Sequence, residues 1–445
     1  MSASHTKSTP GADLRLVPGL GLVDFEGAGL PDALAEKVEG ELEIFSTHMR
    51  HGLLSAAINV GLDVFSQLLA AEVTEIAGVK GRHDPERRAL RHGTERSAVP
   101  LGGRMVEVDK PRVRATDGSG EISLATWAAV SSRELLDRHT LISMLTGVST
   151  RSYATVLEPT GPEIDDAASS TSKSAVSRRF VGATRARLAE FRSRSLSDRR
   201  WLVIYIDGFG FGDETLIGAL GVDEKGNKMP LSLVHGTTEN KAVCKALVDD
   251  LETRGLDPAK GVLFVVDGAK AIYHAIKDKW SDVALIQRCR AHKSRNVTDL
   301  LPEHHHASVR RELARAWAIV DAEQAEAALR NLAAKIERTH PDAAASLREG
   351  LTDTVTINRL GVTGTLAKTL ATTNPMESTV DIIKAHARNV KRWHTGDMRL
   401  RWAAVGMLCA QAQYRRVNGY RQLDRLADNI TAELQRRQLH FAQAS

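Results

Sequence analysis

Apolar positions such as Leu53, Ile58, Leu62, Phe65 and Leu69 recur near the helical period across residues 32–77, and the pattern stops at Gly78, which predicts one long helix. The following stretch, GRHDPERRALRHGTERSAVPLGG, holds Arg, Gly and Pro without a sustained period and reads as a loop facing either solvent or a phosphate backbone. Alternation then sets in: in RMVEVDKPRVRA, Met105, Glu107 and Asp109 oppose Val106 and Val108. A turn cluster over Asp117–Gly120 precedes EISLATW, which together predict a β-hairpin. From Arg133 the pattern is helical again, through SRELLDRHTLISMLTG, a break at Gly147, STRSYATVL, a Pro and Gly loop, and SKSAVSRRFVGATRARLAEF. In the last of these Ser172 or Ser174 caps the start, and Val176, Phe180, Ala183 and Leu188 share one face. Lys173, Arg178, Arg179 and Arg185 occupy the others, as on a DNA-recognition helix or on an amphipathic linker with solvated arginines.

The pattern changes at Trp201. WLVIYIDGFG is a continuous apolar run ending in Asp-Gly, the mark of a buried strand whose acid emerges at its carboxyl edge. ETLIGALGVDEKG and NKMPLSLVHG read as two more strands joined by a turn at Glu224–Asn227, and ENKAVCKALVDDLETRG as a helix. GVLFVVDGAKAIYHAIKDKW repeats the first design with Asp267 and Gly268, and VALIQRCRAH is a short strand turning into a helix. Residues 304–350 are wholly helical in pattern, rich in Ala, Glu and Arg, and read as an insertion. After Gly361 and Gly364, TTNPMESTVDIIKAHARNVKRW forms a helix whose start is marked by Thr373, Asn374 and Pro375.

Length and composition set bounds on this picture. A chain of 445 residues, 42% hydrophobic and 26% charged, has room for two or three domains with packed cores. Cys244, Cys289 and Cys409 are too few and scattered for a disulfide framework, which points to a reducing cytoplasm. The opening MSASHTKSTPGADLRL lacks the apolar core of a secretory signal and is expected to be a flexible arm. No apolar run approaches the roughly 20 residues of a membrane helix, so a soluble protein with no membrane partner is expected. The net charge of +5 permits a polyanionic partner without demanding one. The arginines cluster at Arg82–Arg114, Arg178–Arg200 and Arg388–Arg425.

Two strands that each end in Asp-Gly bring Asp207 and Asp267 to one sheet edge, where open α/β folds gather their sites, and Glu377 on a later helix can close the cluster. Three converging carboxylates repel one another unless cations are present, and oxygen-only ligands favour Mg2+ or Mn2+. A pair of such ions activates a water or sugar hydroxyl and stabilises a leaving oxygen in phosphoryl transfer. Each motif alone has a plain structural reading: Asp-Gly is an ordinary turn, and an acid in a first helical turn suits the helix dipole.

At these residues the chain resembles the Mutator-type bacterial insertion-sequence transposases. The resemblance covers most of residues 50–425 and is carried by YIDGFG, VVDGAKAI, QRCRAHKSRNV, SLREGLTDTVTINRLGV, TTNPMES and RNVKRW. It implies an α/β ribonuclease-H-like catalytic core with a helical insertion, preceded by a mainly α-helical DNA-binding region. It implies the acidic triad Asp207, Asp267 and Glu377 holding two Mg2+ or Mn2+ ions, and a Cys-x2-His signature on Cys289 and His292. DNA is then the implied partner, as terminal inverted repeats and target, with a homo-oligomer bringing the ends together in a bacterial cytoplasm and a copying route through a circular intermediate. The expected organisation is an arm over 1–30, a helical and basic region over 31–104, a hairpin region over 105–128 and a helix-turn-helix-like region over 129–199. The core's first part covers 200–303, the insertion 304–364, and core completion with basic C-terminal helices 365–445.

Several residues keep two readings. Cys289 and His292 alone cannot close a four-coordinate zinc site, so a structural role is expected. His304, His305 and His306 make a solvated start to the inserted helices. Trp317 either stacks on an unpaired base near a DNA end or packs in a core. Arg388, Lys391 and Arg392, with Arg399 and Arg401, either hold phosphates beside Glu377 or form a solvated helical face. Two rival functions are a DNA-binding regulator with a decayed catalytic domain and a metal-dependent hydrolase of small phosphate esters; the second leaves the basic segments unexplained.

Overall fold

The computed structural model describes residues 32–82, 84–236 and 240–444, so the arm expected over 1–30 lies outside the described residues. The chain folds as two compact units.

The first unit takes residues up to Val99 with Val106–Ser131 and Glu158–Ala168. Its helix α1 (Asp32–Ala77) is present as predicted and stops at Gly78, whose φ of 75° suits the missing Cβ; of the apolar positions that predicted it, Phe65 and Leu69 are buried and Leu53 is exposed. Phe65, Leu69, Val73 and Ala77 of α1 form a small core with Val99, Val113 and Leu124. Strands β1 (Ala89–Leu101), β2 (Arg104–Ala115) and β3 (Glu121–Ile122) make a sheet in that order. The Arg-rich stretch expected to be a loop is therefore corrected to a strand over most of its length. The first half of β1 is exposed and only Ala89 and Val99 are buried, so it has no apolar alternation to betray it, and charged neighbours line the ribbon, with Lys110 2.9 Å from Glu95 and Arg112 2.8 Å from Glu121. The hairpin after it is present, Val113 opposite Ile122, with the Ser119 N–H donating to Asp117 Oδ1 in the turn. It is shorter than expected, because the chain enters α2 (Ala125–Val130), whose first N–H groups are taken by the Glu72 carboxylate. The short α4 (Pro162–Ala167) also belongs here.

The second unit holds the rest. Helix α3 (Glu134–Leu145) packs against α5 (Lys173–Ser193), which Ser172 caps as expected and which buries Val176, Phe180, Thr184 and Leu188. STRSYATVL yields only a single 3-10 turn at Ala154–Val156. The main sheet is mixed: β4 (Trp201–Phe211), β5 (Glu214–Asp223), β6 (Lys228–Gly236), β7 (Leu263–Val266) and β8 (Leu285–Arg288), ordered β6-β5-β4-β7-β8. The β4-β5-β6 pairs are antiparallel and the β4-β7-β8 pairs parallel. Both faces of the sheet are covered, which explains the unbroken apolar runs. Ile204, Ile206, Phe264 and Val266 pack into one core with α6 (Lys241–Thr253) and α7 (Lys270–Trp280). Val203, Tyr205, Leu263 and Val265 pack into the other.

After β8 comes α8 (Arg290–Thr298), then the insertion, helical as predicted: α9 (Glu303–Ala318), α10 (Ala322–Glu337) and α11 (Pro341–Arg348). It has its own core around Leu313, Leu329, Leu332 and Leu347, joined by Val297 of α8. Short helices α12 (Thr356–Arg359) and α13 (Gly364–Leu370) lead to α14 (Asn374–His386), α15 (Gly396–Gln411) and α16 (Leu423–Ala444). Helix α14 lies on β4 and β5 and ends before the predicted Trp393, whose ring instead packs 4.7 Å from Phe211. Among the described residues no helix is long and apolar enough to cross a membrane.

Candidate active site

The parallel ladder between β4 and β7 runs from Val203↔Leu263 to Ile206↔Val266, so Asp207 and Asp267 occupy the next position on adjoining strands. Alternation places both on the side of Val203, Tyr205, Leu263 and Val265, the side covered by α14. One expectation needs correcting here. Asp207 does not end its strand: β4 continues antiparallel to β5 as far as Phe211, with Asp207 opposite Gly218. The acid is at an edge only because β7 stops first. Asp207 is 6% exposed, whereas Asp267 is partly open and its Oδ1 accepts the Ala269 N–H at 2.9 Å, starting the turn into α7. Gly268, at φ 103°, is required there, since a Cβ would fall 2.1 Å from Arg288 Nε.

Glu377 sits in the first turn of α14, which Thr373 begins and Pro375 favours. Its Oε1 accepts from Thr373 Oγ1 at 3.2 Å and lies 3.9 Å from His292 Nε2. The same Thr373 hydroxyl is 3.5 Å from His292 Nδ1 and 3.7 Å from Cys289 Sγ. Cys289 is held at the start of α8 by its own N–H, which donates to Val266 O at 2.7 Å and extends the sheet edge by one residue. Burial opposes ionisation of the Cys289 thiol, but the hydrogen bond from His292 and backbone N–H groups outweigh it and hold the thiol below its ordinary value. The imidazole of His292 is raised above its ordinary value, first by the hydrogen bond to Cys289 and then, against burial, by the charges of Cys289, Asp207 and Asp267. The structure thus brings Glu377 and the Cys289–His292 pair together through Thr373, and puts both aspartates within electrostatic reach of His292. Thr373 was legible in the sequence only as a helix start.

As placed, no three His, Cys, Asp or Glu side chains among the described residues stand close enough to hold one ion. The donor chemistry nonetheless suits a hard divalent cation: three carboxylates offer oxygen alone, and the soft Cys289 is engaged with His292 and Thr373.

A second wall escaped the sequence reading. Arg288, at the end of β8, reaches Glu349 O at 2.7 Å and Glu349 Oε2 at 3.2 Å. Lys293 of α8 is fully buried and donates to the carbonyls of Ser346 and Glu349, which ties the insertion to the sheet edge. Burial, helped by Arg288, pushes its ammonium down to about 8.

The candidate DNA contacts divide by orientation. Lys173, Arg178 and Arg185 of α5 and Arg388, Lys391 and Arg392 after Glu377 are exposed, Arg185 lying 3.7 Å from Asp397. Arg179 is turned inward to Thr140 Oγ1 and Ser170 O and lies over the Tyr153 ring. Arg399 and Arg401 are buried: Arg399 pairs with Asp213 and Glu214, and Arg401 with Asp397 and Thr184. Except for Asp397, one turn away, their partners are remote in the chain, and the phosphate-holding and solvated-face readings of these two arginines are both corrected. Trp317 is half-buried against the insertion core, donates to Thr354 Oγ1 at 3.1 Å and lies under Arg290. His304 and His305 begin α9, with His305 also against His340.

Comparison with known proteins adds the family. The model described as "Transposase, Mutator family" matches residues 37–400. The chain is similar to the transposase for insertion sequence element ISRM5 of Rhizobium meliloti (strain 1021), 29% identical over 308 residues that make up 67% of this chain and 73% of the relative. It is similar to the transposase for insertion sequence element IST2 of Acidithiobacillus ferrooxidans, 28% identical over 30% of this chain and 45% of the relative. It is also similar to the transposase for insertion sequence element IS905 of Lactococcus lactis subsp. lactis (strain IL1403), 27% identical over 52% of this chain and 57% of the relative.

Proposed function

The chain belongs to the Mutator family of transposases, and from that premise we propose that it is an insertion-sequence transposase that cuts and joins DNA ends at Asp207, Asp267 and Glu377. The observation that carries this reading is the register of β4 and β7, which sets Asp207 and Asp267 side by side, with the helix that carries Glu377 lying on β4. The sheet order, the antiparallel and parallel halves and the helical insertion support a ribonuclease-H-like core.

Two balanced phosphoryl transfers make up the reaction. In the first, a water oxygen bonds to phosphorus at the element end while the bond to the 3′ oxygen breaks, leaving a 3′ hydroxyl. In the second, that hydroxyl bonds to a phosphorus of target DNA, and the target's own 3′ oxygen leaves with a proton. Asp207, Asp267 and Glu377 would hold Mg2+ or Mn2+, which when bound supplies activation of the attacking oxygen and stabilisation of the leaving one. The protein's own groups arrange the site. Thr373 orients Glu377 by donating to it, and His292, whose imidazole is raised above its ordinary value first by the hydrogen bond to Cys289, stands 3.9 Å from the Glu377 carboxylate. The exposed cations of α5 would hold terminal inverted repeats, and joining two ends calls for a homo-oligomer.

Asp207→Asn, Asp267→Asn and Glu377→Gln are each expected to lower Mg2+-dependent strand transfer on the order of 10²-fold or more while DNA binding persists. Joining of paired ends at the parental rate by any one of these purified variants removes that residue from the site.

A further inference from the structure

A second cationic feature lies beside α14, away from the cluster of acids. A cleft of about 640 Å³ is lined by Lys228, Lys368, Tyr414, Arg415 and Arg416 and by the flank of α14 around Ser378. No carboxylate lines it, and none of the four cations forms an ion pair with a carboxylate among the described residues. This sets the cleft apart from cations near the sheet such as Lys279, Arg254 and Arg288, each of which faces an acid. Lys228 is half-buried; its ammonium lies 5.1 Å from the centre of the Tyr414 ring, and burial holds it below the ordinary lysine range. A partly desolvated cation against an aromatic face, with no carboxylate partner among the described residues, is incompletely compensated, and an anion entering the cleft relieves it. The remaining lining is Thr, Ser, Asn and Gln, whose hydroxyls and amides suit phosphate oxygens. Tyr414 already shares its hydroxyl with Thr379, which fixes the ring between α14 and the segment that carries Arg415.

We propose that this cleft is a DNA-backbone site, in which Lys228, Lys368, Arg415 and Arg416 hold the phosphates of a strand passing the flank of α14. The inference rests on the DNA-joining reading above for its ligand, but on the cleft alone for its location. Because Ser378 lines the cleft and is the neighbour of Glu377, a strand held there is placed one helix flank away from the acids. Its phosphates are positioned by the cleft and are not the ones cut. The contacts are to backbone only, so the cleft adds affinity without sequence preference.

The test uses the full chain and a labelled DNA duplex of arbitrary sequence, with binding measured across a series of salt concentrations. Lys368, Arg415 and Arg416 are exposed, so the triple variant K368Q/R415Q/R416Q is expected to keep its fold, checked by circular dichroism. It should reduce the slope of log affinity against log salt by about 2 to 3, given about 0.9 per phosphate contact. A control triple on the insertion, R311Q/R315Q/R338Q, removes the same charge from exposed positions and should leave the slope unchanged. An unchanged slope in the cleft triple, or an equal fall in both triples, overturns the proposal. So does loss of inorganic pyrophosphate binding in the cleft triple with DNA binding intact. D267N separates the two readings: if it cuts like the parent while the cleft triple loses slope, the acidic-site reading fails and the cleft stands. If D267N loses cutting and the cleft triple keeps its slope, only the cleft fails.

Discussion

Arg399 and Arg401 on α15 and Arg415 and Arg416 just beyond its end carry the same charge in one short stretch of chain, yet they face different worlds. The first pair is buried, and each guanidinium meets a carboxylate that the fold supplies: Asp213 and Glu214 from the β4-β5 turn, or Asp397 from the same helix. The second pair is exposed, and no acid lines its cleft. An arginine whose counter-charge is built into the protein is spent on the fold, because releasing it to a ligand would strand a carboxylate. An arginine without one can give its charge to a partner where the surrounding surface shapes a site for it.

The strongest way to break this comparison is to remove an inward arginine. Arg399→Met strands Glu214, which is left facing His235, and removes the tie between α15 and the β4-β5 turn. Since Asp213 is largely exposed and keeps its hydration, the expected loss is about 2 to 3 kcal/mol, at or below the low end for a broken buried pair. Urea unfolding measures it. The salt slope of DNA binding should not move. A stable variant whose slope falls would place Arg399 among the DNA contacts and erase the distinction.

Lys293 sharpens the same contrast through pH. Its folded value of about 8 lies below the 10.5 of an ordinary lysine, so the unfolded chain holds this proton more tightly than the folded one. Between those two values the unfolded state binds more protons, and stability rises with pH; below 8 the cost of burying the charge is present in full. The parent should therefore gain up to about 2 kcal/mol relative to Lys293→Met between pH 8 and pH 10, at about 1.4 kcal/mol per unit. Chemical denaturation of both proteins at several pH values gives the difference, from which groups common to both cancel. Parallel pH profiles would mean that the carbonyls of Ser346 and Glu349 compensate the charge fully, leaving Lys293 no less comfortable than a solvated lysine.

How far the sequence reveals such things depends on where the deciding partner lies. The repeated pattern of apolar run, Asp and Gly at Asp207 and Asp267 was legible because strand burial and turn chemistry are local. That Asp207 lies within β4 was not, since it depends on β5 reaching further along β4 than β7 does. The inserted helices were legible from their richness in Ala, Glu and Arg, and β1 was not, because a ribbon with only Ala89 and Val99 buried has no apolar face to show. The inward arginines were opaque for the same reason at longer range: Arg179 meets Thr140, and Arg401 meets Thr184. Thr373 was visible as a helix start, but its link from Glu377 to Cys289 and His292 comes from α8 arriving beside α14.

Helix α5 provides the comparison with the smallest expected effect on stability, since inward and outward cations alternate along it. Lys173 and Arg178 are exposed and Arg179 is turned in. K173Q/R178Q should leave the unfolding free energy within about 0.5 kcal/mol, as surface changes do. If these residues hold element ends, the salt slope for end binding falls by up to about 2, one contact for each charge removed. Arg179→Met should do the reverse, because its lost bonds to Thr140 and Ser170 weaken the seat of α5 while the outward charges remain. Should K173Q/R178Q change neither quantity, the outward face of α5 is merely solvated. The phosphate-holding charge of this chain would then have to come from elsewhere, and the acid-free cleft beside α14 is one place where, among the described residues, cations stand without a counter-charge.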